Sequence, residues 1–228
     1  MAAFDKVKSG ISQLDEILDY IRMGDNVVWE VSDVEEFRMF ALPFVAQAIN
    51  DKRDIVYIRF AQHPPILSQA DMLDHVQVAE FDPDAGFESF TVAIHDEITR
   101  HGKDAFYVFD CLSELQSVWY TDLMMGNFFR VTCPYLFELD TVAYFPILRG
   151  RHSFDAIARI RETTQLLLNV YTNEKWIYLH PVKVWQRNSE TMFLPHGCRK
   201  EEGELHLIDD GVGISRYYQT VHEIRQQS

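Results

Sequence analysis

Asn26-Val-Val-Trp-Glu-Val31 runs directly into Ser32-Asp-Val-Glu-Glu-Phe-Arg38 and then into a long stretch of apolar residues at helical spacing. No other stretch constrains the fold as strongly. The first part has the length and apolar character of a buried strand. The last part places Val34, Phe37, Ala41, Phe44, Val45 and Ala48 on one face of a helix reaching Ile49. The turn between them has the length of a phosphate-binding loop but none of its glycine or lysine chemistry. Pro43 falls inside the helical run and predicts a kink or an early break there.

The rest of the chain alternates in the same way. A short helix after Gly10 carries Ile11, Leu14, Ile17 and Leu18 on one side. Strands are expected over Asp54–Phe60, Val76–Phe81, Ala105–Phe109 and Thr141–Leu148. Helices are expected over Phe87–His101 and from Leu115 to about Leu139, the latter broken at Cys133-Pro134. Ser153 reads as the N-cap of a further helix running to about Val170. Beyond Asn173 the pattern becomes β-rich, with strands over Trp176–Trp185, Thr191–Leu194 and Glu204–Ile208 and a turn at Asp209-Asp210-Gly211. Strand and helix in alternation predict an α/β fold: a mainly parallel central sheet, helices on both faces, and a β-rich C-terminal end. Residues 1–212 read as one domain. Residues 213–228, with Tyr217, Tyr218, Val221 and Ile224 at helical spacing, read as a helical tail or the start of a linker.

Charge and cysteine content narrow the function. A formal net charge of -14 argues against a nucleic-acid or anionic-membrane binder, both of which need a basic surface. No apolar run approaches the ~18 residues of a membrane span. Cys111, Cys133 and Cys198 form neither a disulfide framework nor a zinc motif, so a cytoplasmic, reducing setting is the simplest.

Several segments, in order, resemble the RecA-like ATPase domain of the KaiC type. They are Gly10-Ile11 with Leu14-Asp15 and Glu16-Ile17-Leu18, Tyr57-Ile-Arg-Phe60, Asp110 followed by Cys111-Leu-Ser113, Val182-Lys-Val184, and Ile208-Asp-Asp-Gly-Val212. The resemblance covers nearly the whole chain and implies a RecA-like three-layer fold. It also aligns Val31–Arg38 with the GxxxxGK[ST] phosphate loop, whose glycines admit backbone N–H groups to phosphate while Lys and Ser/Thr engage phosphate and magnesium. Here the glycines are absent, Phe37 stands at the lysine and Arg38 at the magnesium hydroxyl. Asp33, Glu35 and Glu36 make the turn repellent to polyanions. Ser32 and Glu35 fit a capping box that would fill the helix N-terminus with the protein's own groups.

The remaining family positions follow suit. Where active relatives place two glutamates after the second strand, Phe60 is followed by Ala61 and Gln62. Asp110 matches the Walker B acid, although it also fits a polar strand end bonding Ser113. Lys183 and Arg187 fall where relatives send cations to a neighbour's phosphate, and equally suit a solvated hairpin.

The resemblance therefore implies a catalytically inactive assembly or regulatory module without cofactor, working through self-association or a protein partner. It also extends to the region ahead of phosphoenolpyruvate/pyruvate-binding phosphotransferase modules in some bacteria. The rival expectations are a divergent ATPase using ATP and magnesium through Arg38, Asp110 and a trans Lys183 or Arg187, and a small-molecule sensor using the vacated cleft. Three further clusters stand out. Arg149-Gly-Arg-His152 with Arg159 and Arg161 is the densest basic group. His180, His196, Cys198 and His206 match no zinc spacing. Trp119, Tyr120, Phe128, Phe129, Tyr135 and Phe137 read as core or subunit contact.

Overall fold

The computed structural model describes residues 4–72, 75–119, 121–173, 176–201, 204–208 and 211–227. Tyr120 and the Asp209-Asp210 turn, with its part of the closing motif, lie outside them, as does the His206 side chain. The chain opens with β1 (Lys6–Val7), α1 (Ser12–Leu18) and β2 (Ile21–Arg22), the two strands pairing antiparallel. The main run follows as β3 (Asn26–Val31), α2 (Val34–Asn50), β4 (Ile55–Arg59), α3 (Gln69–Met72), β5 (Val76–Glu80), α4 (Phe87–His101) and β6 (Phe106–Phe109). After it come α5 (Leu115–Trp119), α6 (Asp122–Glu138), β7 (Val142–Leu148), α7 (Phe154–Thr163) and β8 (Leu166–Asn173). The chain ends with β9 (Trp176–Val184), β10 (His196–Glu201), β11 (Glu204–Ile208) and α8 (Gly211–Gln227).

Nine strands form one sheet in the order β11-β10-β9-β8-β3-β7-β6-β4-β5. Those from β8 to β5 are parallel, and β9 to β11 add an antiparallel edge. β3 sits between β7 and β8, which is why all of it but Glu30 is buried: a central parallel strand is covered on both faces. Val27, Trp29 and Val31 pack with α1 and α2 on one face, while Val28 faces the cluster built by α4, α6 and α7 on the other. The first face is held by stacked rings, Trp29 on Phe40 at 4.4 Å and Phe44 on Tyr144 at 4.0 Å.

Three expectations change. The helix begun at Ser153 stops at Thr163 instead of reaching Val170; Thr164 turns extended, and Leu166, Leu168 and Val170 alternate inward as β8, which completes the pairing of β3. Thr191–Leu194 is a turn closed by Leu194 N–H on the Thr191 carbonyl at 2.9 Å; Phe193 and Leu194 face out, and the strand starts at His196. Neither proline ends its helix. Pro43 lies inside α2 and Pro134 inside α6, since buried residues on both sides (Phe40 and Phe44; Phe129 and Leu136) hold each helix against the sheet. The tail is a helix that starts at Gly211 and packs Tyr217 and Val221 against Tyr178. Among the described residues no helix is long and apolar enough to cross a membrane.

β3 leads through α2 on one face, whereas its neighbour β7 leads through α7 on the other. Outgoing connections that diverge in this way open a crevice at the carboxyl ends of the strands, where parallel α/β sheets bind ligands. Val31–Arg38, Ala61, Gln62 and Asp110 fall on that rim, whereas Lys183 and Arg187 lie at the opposite end of the sheet, beside the starts of β8 and β3.

Candidate functional site

The β3–α2 turn is capped by its own side chains, in a register one residue later than expected. Asp33, with extended backbone (φ -147, ψ 170), is the N-cap and accepts from Glu36 N–H at 3.0 Å. Glu36 reaches back to accept from Ser32 N–H at 2.7 Å. The expected Ser32–Glu35 pairing does not form. The Ser32 hydroxyl is instead taken by Arg149 Nη1 at 3.1 Å, and Glu35 points to solvent. The shift leaves the expected outcome intact: helix N–H groups that would face an anion are met by carboxylates that also suit the helix dipole. Phe37 is fully buried beside Trp29 and Tyr144, so its side chain belongs to the core. Arg38 turns to Asp71 at 2.8 Å.

Arg149 closes the crevice from the β7 side. Besides Ser32 it donates to the Glu30 carbonyl at 3.1 Å and to the Val170 carbonyl, and its guanidinium lies 3.8 Å from the Tyr171 ring centroid. One guanidinium thus ties together the ends of β3, β7 and β8.

Asp110, just past β6, is fully buried and accepts four hydrogen bonds. Oδ1 accepts from the Tyr57 hydroxyl; Oδ2 accepts from Arg59 Nη1 at 2.5 Å and from the backbone N–H groups of Phe60 and Ala61 at 2.9 Å each. Burial, then the adjacent carboxylate, pushes the Tyr57 hydroxyl far up, which keeps it protonated as a donor. That hydroxyl accepts in turn from Ile66 N–H at 2.8 Å. Ser113, the expected partner, does not bond Asp110. Arg59 is the residue the sequence left unnoticed, although its place one residue before Phe60 at the end of a neighbouring strand was a usable signal. Ala61 contributes only its backbone, and Gln62 lines a cleft beside it.

The two hairpin cations do not reach outward. Arg187 is buried and pairs with Asp25, donating also to the Tyr20 carbonyl at 3.0 Å and the Trp185 carbonyl at 2.9 Å. Burial pushes the Asp25 carboxyl up to about 6 and lowers Arg187, against the attraction between them. Lys183 donates to the Arg161 and Glu162 carbonyls at the end of α7, completing helix-terminal acceptors. Lys183 and Arg187, the two candidates for a neighbouring subunit's phosphate, are thus both engaged within the chain. Arg38, Arg59, Arg149, Lys183 and Arg187 each have an acceptor of their own.

One constellation went unread in the sequence. Ser113 Oγ lies 2.7 Å from His152 Nε2, and His152 Nδ1 lies 2.7 Å from Asp122 Oδ1. Serine, histidine and carboxylate in this order form a proton relay. Its serine, however, is buried, accepts from Leu148 N–H at 2.7 Å, and does not line the neighbouring cleft; the Asp122 carboxylate also accepts from Ser153 N–H. The relay joins the ends of β6 and β7 to the starts of α6 and α7, and that is a structural task.

The histidines of the C-terminal part are separate. His180 meets the Tyr217 hydroxyl at 2.5 Å and His196 the Thr191 carbonyl at 3.0 Å, while Cys198 is buried as a free thiol. Among the described residues no group of three or more His, Cys, Asp or Glu is placed to hold a metal ion. No protein-family model matches the chain, and no curated protein matches it.

Proposed function

We propose that this chain is a RecA/KaiC-like domain that retains a three-layer scaffold and has lost its nucleotide apparatus, serving as an assembly or regulatory module. The observation that carries this reading is the burial and pairing of Asp110. A fully buried carboxylate that holds a guanidinium, a tyrosine hydroxyl and two backbone N–H groups is not open to a hydrated magnesium ion unless β4 and β6 separate. The Asp33–Glu36 cap at the turn adds negative charge where a triphosphate would lie. The chain's partner is then another protein, a second copy or a phosphoenolpyruvate/pyruvate-binding module, and any phosphotransfer belongs to that module. Sedimentation with and without ATP·Mg tests the proposal. The account expects the same assembly state in both; a nucleotide-dependent change in mass would refute it.

A further inference from the structure

The terminal helix α8 is held to the sheet by a narrow aromatic contact with a histidine inside it. Antiparallel pairing sets Tyr171 opposite Tyr178 and Asn169 opposite His180, so these four side chains share one face of β8 and β9. α8 lies on that face with Tyr217 and Val221 buried, while Val212 and Tyr218 of the same helix stay exposed. The Tyr217 ring meets Tyr171, Tyr178 and His180 edge to face, at centroid distances of 5.4, 5.8 and 5.1 Å. The hydrogen bonds fix the state of the histidine. Its Nε2 lies 3.2 Å from the Phe193 carbonyl, which can only accept, so Nε2 carries the ring proton. Nδ1 is then bare in the neutral ring and accepts from the Tyr217 hydroxyl at 2.5 Å.

We propose that α8 is a pH-sensitive latch, seated on the β8–β9 face while His180 is neutral and loosened when His180 gains a second ring proton. That proton would turn the acceptor for Tyr217 into a donor and place a charge inside the contact. The groups facing it are neutral or cationic: Asn169 and Tyr171 from β8, Tyr178 from β9, His196 from β10 and Tyr217 from α8, with the Arg149 guanidinium beyond Tyr171. The α8 carboxylate Glu223 is bonded to the exposed Gln219. Burial lowers the pKa of His180 below the ordinary histidine value; the Phe193 carbonyl works against this and His196 adds to it. By linkage, seating is complete above the ordinary histidine range and weakens as pH falls through it. Release bares Tyr171 and Tyr178 next to the rim that Arg149 closes. The latch is separate from the assembly reading and stands or falls without it.

Amide hydrogen exchange of the full chain, corrected for the intrinsic rate, tests this. Protection of Gly211–Gln227 should fall about fivefold or more between about pH 7.5 and about pH 5.5. In His180→Gln, whose side-chain amide can still face the Phe193 carbonyl but cannot titrate, protection should be level across the same range. Proton NMR of the histidine rings supplies an independent reading. His180 should titrate below ordinary histidine in the parent chain, and Tyr217→Ala, which takes the seated ring away, should return it toward the ordinary value. That second reading decides the matter if His180→Gln by itself unseats the helix. Level protection in the parent chain, a fall that survives His180→Gln, or a His180 titration unmoved by Tyr217→Ala would overturn the latch.

Discussion

Asp110 is a buried carboxylate with a structural duty. With Tyr57, Arg59 and two backbone amides around it, it is the polar centre joining β4 to β6. Asp110→Ala leaves a guanidinium and two N–H groups buried without their acceptor, and should lower unfolding stability by about 3–5 kcal/mol, read from urea midpoints. A catalytic remnant with no structural duty would tolerate the change within about 0.5 kcal/mol. Asp25 makes a prediction in pH. Burial raises its folded pKa from 3.8 to about 6, so the folded chain holds this proton more tightly than the unfolded one. Its stabilising contribution is complete below about pH 4, is lost as pH rises to about 6, and is level above; the change is at most about 3 kcal/mol. Asp25→Asn cannot titrate. Subtracting its stability from that of the parent chain across this range should leave a curve that falls with rising pH, and a flat difference would contradict the assignment.

At the level of elements, Gly10 sets how α1 meets α2. Its φ is +85, and a Cβ there would lie 2.1 Å from the Pro43 carbonyl oxygen, a backbone atom that cannot move without the helix. Gly10→Ala should therefore cost more than the ~1 kcal/mol of conformational strain alone, with a fall in thermal midpoint of several degrees. The elements legible in the sequence were those whose burial has one simple period. β3 carries the apolar run Val27-Val28-Trp29 with Val31 beyond it, and Phe87–His101 puts Phe90, Ile94 and Ile98 at helical spacing. β8 was hidden because Leu166-Leu167-Leu168 suits a buried helix as well as a strand. Only its pairing with β3 and β9 decides between them. The capping residue was misplaced by one position because Ser32 and Asp33 are equally good caps in isolation, and Arg149, 117 residues away, claims the hydroxyl of the first.

For the molecule as a whole, single-residue features were legible and long-range contacts were not. A Val31–Arg38 turn without glycine or lysine, and Ala61-Gln62 without a carboxylate, could be read directly. That Arg59 and Arg149 close the carboxyl-end rim, and that Arg187 closes the opposite end of β3, could not, because each has a partner on a distant segment brought close only by the sheet order. The relay of Ser113, Asp122 and His152 was invisible for the same reason. The Arg59 and Arg149 contacts make the rim a closed polar seam, and the central proposal is that the seam excludes nucleotide. Calorimetric titration of the intact chain with ATP·Mg tests it most directly. The account predicts no heat beyond dilution at any ratio. Saturable binding of micromolar affinity, lost on Arg38→Ala, would contradict it.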